Sequence, residues 1–214
     1  MISGTVYGVI LNVRQELEAL GEALSQPPYG RPPKAPVLYI KPPNTYCPDG
    51  AEVSVPEGVE ALETNATLAL VIGRTACRVP PEEALDHVGG YGIAIDVCIP
   101  HRSLHRPAIR QRCRDGFLPF GPVVARPANL DPGDLEVRVR INGADANRFS
   151  TRDLVRPAAR LIADVTDFMT LYEGDVLLVG LPPNGPQARA GDRVEAEIDG
   201  IGTLRCTLVA EARS

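Results

Sequence analysis

The feature that most limits the fold of this chain is its density of proline and glycine, 21 and 20 of its 214 residues. Both residue types interrupt helices and favour turns, and here they are spread along the chain without a low-complexity tract. Between them lie short apolar or alternating runs, such as TLALVIG at 67–73 and LEVRVRI at 135–141. This pattern predicts a strand-rich α+β fold with a few short helices, and the length favours one domain over residues 1–214.

Several segments have a clear helix or strand pattern. Residues 4–12, 37–41 and 90–99 are apolar runs that predict strands. Apolar residues at helical spacing predict a helix over 14–24, and Thr151, a favourable N-cap residue, predicts one from there to about residue 170. Three more strands are expected near the end of the chain, in DVLLVG, RVEAEIDG and GTLRCTLVA.

Composition excludes several classes of protein. The formal charge is −5 and the sequence pI is near 5.3, which gives no electrostatic footprint for nucleic acid. No apolar stretch is long enough to span a membrane, and the first residues do not resemble a signal peptide. Five scattered cysteines without a CxxC pair are typical of reduced thiols. We therefore expect a cytoplasmic protein.

Two local features are candidates for a binding site. The segment 106–116, RPAIRQRCRDG, is rich in arginine, and its guanidinium groups either bind a di- or tricarboxylate or form a solvated basic surface. Asp96 closes an apolar strand, so it is either a hydrogen-bonded structural residue or a ligand of a hard cation. His101 and His105 have the spacing of metal ligands on a helix, but flanking prolines favour two loop histidines instead.

Seven short motifs then follow one another along the chain: VYGVILN, LYIKPPNT, TLALVIGR, GYGIAIDV, DGFLPFGP, INGADANRFSTRDL and EGDVLLVG. Each is weak alone, but in this order they resemble the catalytic domain of the fumarylacetoacetate hydrolase family. The resemblance implies a mixed β-sandwich roll and a divalent metal, Mg²⁺ or Mn²⁺, held by carboxylates. It implies Asp96 as one metal ligand.

The chain departs from the family at the other metal ligands. Where the family has Glu-x-Glu before its central strand, this sequence has Asn65 and Thr67. An amide and a hydroxyl are poor substitutes for two carboxylates, so we expect metal binding by this chain to be weak or absent. Glu60 and Glu63 are nearby, but on this alignment they lie upstream and out of phase.

The resemblance also implies roles for individual residues. Glu16 stands where the family has a histidine and is a candidate catalytic base, although the sequence does not identify the base by itself. Arg112 replaces a substrate-contacting lysine and is the second candidate catalytic residue. The residues expected to bind substrate carboxylates are Lys41, Arg110, Arg112 and Arg114.

These losses, with the segments QPPYGRPPKAPV, KPPNT and RPAIRQRCRDGF, are similar to the first half of two-domain isomerase/decarboxylases of 4-hydroxyphenylacetate catabolism. The implied reactions are decarboxylation of 5-oxopent-3-ene-1,2,5-tricarboxylate and isomerisation of 2-hydroxyhepta-2,4-diene-1,7-dioate. The implied assembly is a homo-oligomer or a hetero-oligomer with a metal-bearing paralogous subunit. Two alternatives stay open: an acylpyruvate- or fumarylpyruvate-type hydrolase with metal recruited through Glu60 or Glu63, and a catalytically inactive partner subunit.

Overall fold

The computed structural model describes residues 2–27, 30–101, 108–127 and 129–212. Within these ranges the chain forms short helices and many strands, as its proline and glycine content predicts. The α-helices are α1 (Arg14–Leu20), α2 (Pro81–Ala84), α3 (Ile109–Arg112) and α4 (Ala158–Thr166). The strands are β1 (Val6–Ile10), β2 (Val37–Lys41), β3 (Tyr46–Cys47), β4 (Ala51–Val55), β5 (Leu62–Ile72), β6 (Val88–Cys98), β7 (Leu118–Ala125), β8 (Glu136–Ile141), β9 (Ala144–Ser150), β10 (Val176–Leu178), β11 (Gln187–Ala188), β12 (Arg193–Ile198) and β13 (Gly202–Ala210).

The strands form two mixed sheets that pack face to face. The larger sheet has the order β2-β1-β10-β5-β6-β7-β3, with β11 paired to β5, and the smaller has the order β4-β13-β12-β8-β9. Strands β12 and β13 contact β5, β6 and β7 across the interface, so apolar residues of both sheets share a core. The predicted strand-rich α+β class and the sandwich-like packing are confirmed.

Strand β8 follows the alternation of its sequence. Val137 and Val139 face the core, whereas the arginine side chains of the strand are partly exposed and form ion pairs. The turn into β9 uses Asn142 and Gly143, both with positive φ, which the left-handed region allows for these residue types. A sequence pattern of period two therefore positions this hairpin.

The predicted helix from Thr151 to about residue 170 is wrong at its start. Thr151 begins only a 3₁₀ turn, and its Oγ1 accepts a hydrogen bond from the Leu135 amide at 2.9 Å. Helix α4 begins after Pro157 and ends at Thr166. Proline disfavours the helical conformation in the residue before it, which fits a helix that begins after Pro157 and not at Thr151.

Other boundaries differ by a few residues. The helix predicted over 14–24 is α-helical to Leu20 and continues as a 3₁₀ helix over Gly21–Ser25. Strand β2 has its predicted bounds, β1 is shorter than expected, and β5 begins five residues before the predicted run. The earlier start of β5 extends its regular alternation of faces back to Glu63.

Within the described ranges no helix is long and apolar enough to cross a membrane. All five cysteines have free thiols. Residues 28 and 29 of the proline-rich segment, and His105 and Arg106 from the sequence interpretation, lie outside the described residues.

Candidate functional site

Asp96 is the centre of a buried charged cluster near the end of β6. It is 1% exposed, and both of its carboxylate oxygens have partners. The Lys41 ammonium, from the end of β2, lies 3.1 Å from Oδ1, and Arg112 Nη1, from the end of α3, lies 3.2 Å from the same oxygen. The Tyr39 hydroxyl donates a hydrogen bond to Oδ2. Strand alternation explains part of this, because residues 39 and 41 share one face of β2.

Lys41 is completely buried beneath this site. Its ammonium donates to Asp96 Oδ1, to the Val97 carbonyl at 3.1 Å and to the Arg112 carbonyl at 2.8 Å, which matches its three protons. Burial lowers the pKa of Lys41, while Asp96 opposes that change. Lys41 was predicted to contact the substrate, but all three of its N–H donors already have partners within the protein.

Arg112 joins the cluster to solvent. Its side chain is 14% exposed, and its guanidinium lies 5.0 Å from the centroid of the Tyr39 ring, in cation–π contact. Burial alone would lower the pKa of Arg112, but Asp96 holds it above its ordinary value. Burial alone would likewise raise the pKa of Asp96, but Lys41 and Arg112 hold it below its ordinary value. Lys41, Arg112 and Asp96 together therefore have a net charge of +1.

A cavity of about 250 Å³ opens beside this charge. Its walls come from α1, from β5 and from the segment 181–185, and Arg112 reaches it from the cluster. Ile10, Ala19 and Leu20 provide apolar surface. The polar and charged side chains of the lining are Glu16, Glu63, Asn65, His101, Arg112 and Asn184.

Glu16 is the acid–base candidate of the cavity. Burial raises its pKa to about 7, although a hydrogen bond from the Leu11 amide at 2.5 Å and the charge of Arg112 act in the opposite direction. A carboxyl group that titrates near neutral pH can both take and return a proton. The structure thus brings the two predicted catalytic residues, Glu16 and Arg112, to one cavity.

Asn65 and Thr67, at the positions of the expected Glu-x-Glu pair, make no ionic contact. The Asn65 amide nitrogen donates to the Pro182 carbonyl at 3.3 Å, and the Thr67 hydroxyl donates to the Gly180 carbonyl at 2.7 Å. Among the described residues, Asn65 Oδ1 is the one buried side-chain oxygen or nitrogen without a hydrogen-bond partner. Asn65 pairs with Asp96 across the two strands, so this oxygen belongs to the same region.

These donors do not fit a divalent cation. Asp96 is the one acidic group among the three aligned positions, and a metal would have to displace Lys41 and Arg112 from it against their charge. In the described part of the chain no group of three or more His, Cys, Asp or Glu side chains could hold a metal ion. Asp96, the predicted metal ligand, thus has two cationic partners on Oδ1 and the Tyr39 hydroxyl on Oδ2.

Glu63 corrects the sequence interpretation. It was expected to be out of phase with the metal-ligand positions, but residues 63 and 65 are two apart on β5 and both line the cavity. Burial raises the pKa of Glu63. Glu60 precedes the strand, and its carboxylate binds Arg189 at 2.6 Å on the surface. The simple count of alternating residues along β5 could have identified Glu63.

The other predicted substrate-binding arginines do not line the cavity within the described residues. Arg110 is exposed, and Arg114 binds Glu211 at 2.8 Å. Conversely, His101 does line the cavity, although its sequence context indicated only a solvated loop, and its Nδ1 lies 3.3 Å from Cys98 Sγ. No spacing rule could have found this contact, because the chain leaves β6 before it reaches residue 101.

Comparison with known proteins gives consistent matches. The family model described as fumarylacetoacetate (FAA) hydrolase C-terminal matches residues 5–209. The chain is 42% identical over 210 residues to the 4-hydroxyphenylacetate degradation bifunctional isomerase/decarboxylase of Salmonella dublin and 41% identical to that of Escherichia coli. Each alignment covers 98% of this chain and 48% of the relative. The chain thus spans about half the length of the curated relatives it matches.

Solved structures share the fold. 5-Carboxymethyl-2-hydroxymuconate delta-isomerase from Mycobacterium smegmatis superposes with a TM-score of 0.82 at 29% identity, over 100% of this chain and 81% of that one. Fumarylpyruvate hydrolase from Pseudomonas aeruginosa, solved with Mn²⁺ and pyruvate, superposes with a TM-score of 0.83 at 24% identity, over 97% and 90%. At that identity the second likeness concerns the fold alone.

Proposed function

The chain belongs to the fumarylacetoacetate hydrolase family, and we propose that it is the metal-poor half of a bifunctional isomerase/decarboxylase acting on oxo-di- and tricarboxylates. One observation carries the proposal: Lys41 and Arg112 both bind the buried carboxylate of Asp96, and Arg112 lines a cavity that Glu16 also lines. The likeness to two bifunctional isomerase/decarboxylases supports it. The proposed substrates are 5-oxopent-3-ene-1,2,5-tricarboxylate and 2-hydroxyhepta-2,4-diene-1,7-dioate.

Arg112 has the position and charge to bind a substrate carboxylate. One nitrogen of its guanidinium binds Asp96, the ring of Tyr39 lies 5.0 Å from the guanidinium carbon, and the side chain lines the cavity. A guanidinium has further N–H donors in a fixed planar arrangement, which suits a carboxylate. Asp96, Lys41 and Tyr39 are thus positioning residues that hold the arginine.

Glu16 is suited to the proton transfers of both reactions. Isomerisation of a hydroxydienoate moves a proton from the enol oxygen to a distant carbon, and decarboxylation leaves an enolate that must gain a proton. A group whose pKa is about 7 exchanges protons efficiently in neutral solution. We propose that Glu16 carries this proton, while Arg112 balances the negative charge of the substrate.

The second half of the enzyme is proposed to be a paralogous domain or subunit with an intact Glu-x-Glu pair. This chain matches about half of its bifunctional relatives, and its own three aligned positions hold one acidic residue. A divalent ion in such a partner would act as an electron sink for the enolate. The chain itself is proposed to form one domain of the family type and to work in an oligomer.

The test is an activity comparison of three preparations: this chain, a paralogous subunit that retains Glu-x-Glu, and their co-expressed complex. Decarboxylation of the oxo-tricarboxylate and isomerisation of the hydroxydienedioate are followed separately with and without Mg²⁺. We expect the complex to exceed either part. Full activity of this chain alone would contradict the proposed need for a partner. Equal activity of the partner alone and of the complex would show that this chain is an inactive subunit.

Variants within the complex distinguish a chemical role from a purely structural one. Arg112→Gln removes a charged donor from the cavity, and we expect kcat/KM to fall about 10- to 100-fold, the effect of one charge-assisted hydrogen bond. The matched control is Arg189→Gln, which removes an exposed arginine paired with Glu60. Equal effects of the two variants would refute the role of Arg112.

A further inference from the structure

Asn65 Oδ1 is a buried hydrogen-bond acceptor without a partner. Asn65 is 6% exposed and lines the cavity beside Arg112. A buried polar oxygen without a partner costs free energy, and most such atoms in folded proteins have one. At a cavity wall, such an oxygen can accept a hydrogen bond from a donor group of a bound ligand.

The orientation of the Asn65 amide is set by its surroundings. Its nitrogen faces the Pro182 carbonyl, which can only accept, so an exchanged amide would place two acceptors against each other. Gly185 packs so closely on the amide that a Cβ at that position would lie 2.4 Å from the nitrogen. The oxygen is thus held as an acceptor, and it favours a ligand group that donates a hydrogen bond.

The positive charge beside Asn65 indicates which second group the ligand carries. Asp96, Lys41 and Arg112 together leave one positive charge, and Arg112 brings it to the cavity. Glu16 and Glu63 share the lining, and burial raises the pKa of both carboxyl groups, which opposes their negative charge. A carboxylate is therefore favoured next to the group that donates to Asn65.

We propose that this cavity binds, without a metal ion, an acid that carries a hydroxyl group next to its carboxylate. In this site Arg112 takes the carboxylate, and Asn65 Oδ1 accepts a hydrogen bond from the hydroxyl. A keto oxygen at the same place would face the amide oxygen as a second acceptor. Of the two proposed substrates, this site therefore favours the hydroxydienedioate, which has an enol hydroxyl there, over the tricarboxylate, which has a keto group. The choice of ligand class rests on the proposed function.

The test measures binding to the full chain in EDTA by isothermal titration calorimetry. The probes are D-malate, L-malate and succinate, because malate differs from succinate by one hydroxyl group beside a carboxylate. We expect one malate enantiomer to bind about tenfold more tightly than succinate, the effect of one added hydrogen bond. Addition of Mg²⁺ should leave this ratio unchanged.

Two variants assign the preference to Asn65. Asn65→Leu removes the acceptor at similar volume, and malate should then bind no more tightly than succinate. Thr67→Val is the matched control, because the Thr67 hydroxyl binds the Gly180 carbonyl, and the preference should persist. If circular dichroism shows that Asn65→Leu does not fold, the inference is tested by the wild type alone. The measurements are then its ratio of malate to succinate affinity and the effect of Mg²⁺ on that ratio.

Equal affinity for malate and succinate, no binding of either acid, or binding that requires Mg²⁺ would overturn the inference. A preference that survives in folded Asn65→Leu would overturn it as well. An active complex whose wild-type chain does not distinguish the acids would leave the proposed function intact and remove this site. A clear malate preference without activity in any complex would remove the proposed function and retain the site.

Discussion

Replacement of Glu16 by Gln should change how the stability of the protein depends on pH. The pKa of Glu16 is raised from its ordinary 4.5 to about 7, mainly by burial. The folded state therefore binds this proton more tightly than the unfolded state, and the resulting stability is complete below pH 4.5. It is lost as the pH rises through 7.

The magnitude follows from the two pKa values. A difference of about 2.5 pH units corresponds to about 3 kcal/mol in the free energy of unfolding. Gln retains an oxygen that can accept the hydrogen bond from the Leu11 amide but does not titrate. Between pH 5 and pH 8 the free energy of unfolding of the wild type should thus fall by about 2–3 kcal/mol more than that of Glu16→Gln.

Urea unfolding, followed by circular dichroism at pH 5, 6, 7 and 8, measures this difference. Glu18→Gln is the matched control, because Glu18 is exposed on the same helix. The stability of this variant should depend on pH as that of the wild type does. Parallel curves for wild type and Glu16→Gln would refute the reasoning, since the carboxyl group would then titrate alike in both states.

Three further predictions concern stability and thiol reactivity. Lys41→Met should cost about 3–5 kcal/mol in urea unfolding, because it leaves a buried carboxylate and two carbonyls with fewer partners. The exposed control Arg189→Met should cost less than about 1 kcal/mol. Asn12→Ala removes three hydrogen bonds of 2.7–3.1 Å from a fully buried side chain and should cost about 2–4 kcal/mol by the same assay. An aromatic disulfide reagent should label exposed Cys77 in the native protein, whereas Cys98, whose pKa burial raises to about 12, should react only after unfolding.

Local pattern predicted most of the elements but not all of their boundaries. Strand β2 and most of β6 agree with their sequences, because both segments consist mainly of apolar residues and are followed closely by a proline. The start of α4 was missed because Thr151, a good N-cap residue, is used by the Leu135 amide instead. That contact joins residues 16 apart, so the local sequence holds no signal for it.

The family motifs were the stronger predictor of the site. They gave the family, which the comparisons confirm, and they singled out Asp96, Arg112 and Glu16, which lie in or beside one cavity. The arginine-rich segment was less informative, because one of its described arginines reaches the cavity and Arg114 binds Glu211 instead. Which guanidinium faces the site depends on the path of the chain after β6.

The sequence by itself determined the strand-rich architecture and the loss of two acidic residues from the family's Glu-x-Glu positions. These properties are read along the chain, from alternation, turn residues and identity at single positions. The tertiary structure decided which side chains surround the remaining carboxylate of Asp96, because their positions depend on which strands pair. The pairing of β5 with β6 and the return of β2 place Lys41 and Arg112 on Asp96 and leave Asn65 with a free acceptor. No local pattern contains those distances, since the residues that meet there are separated by up to 71 positions.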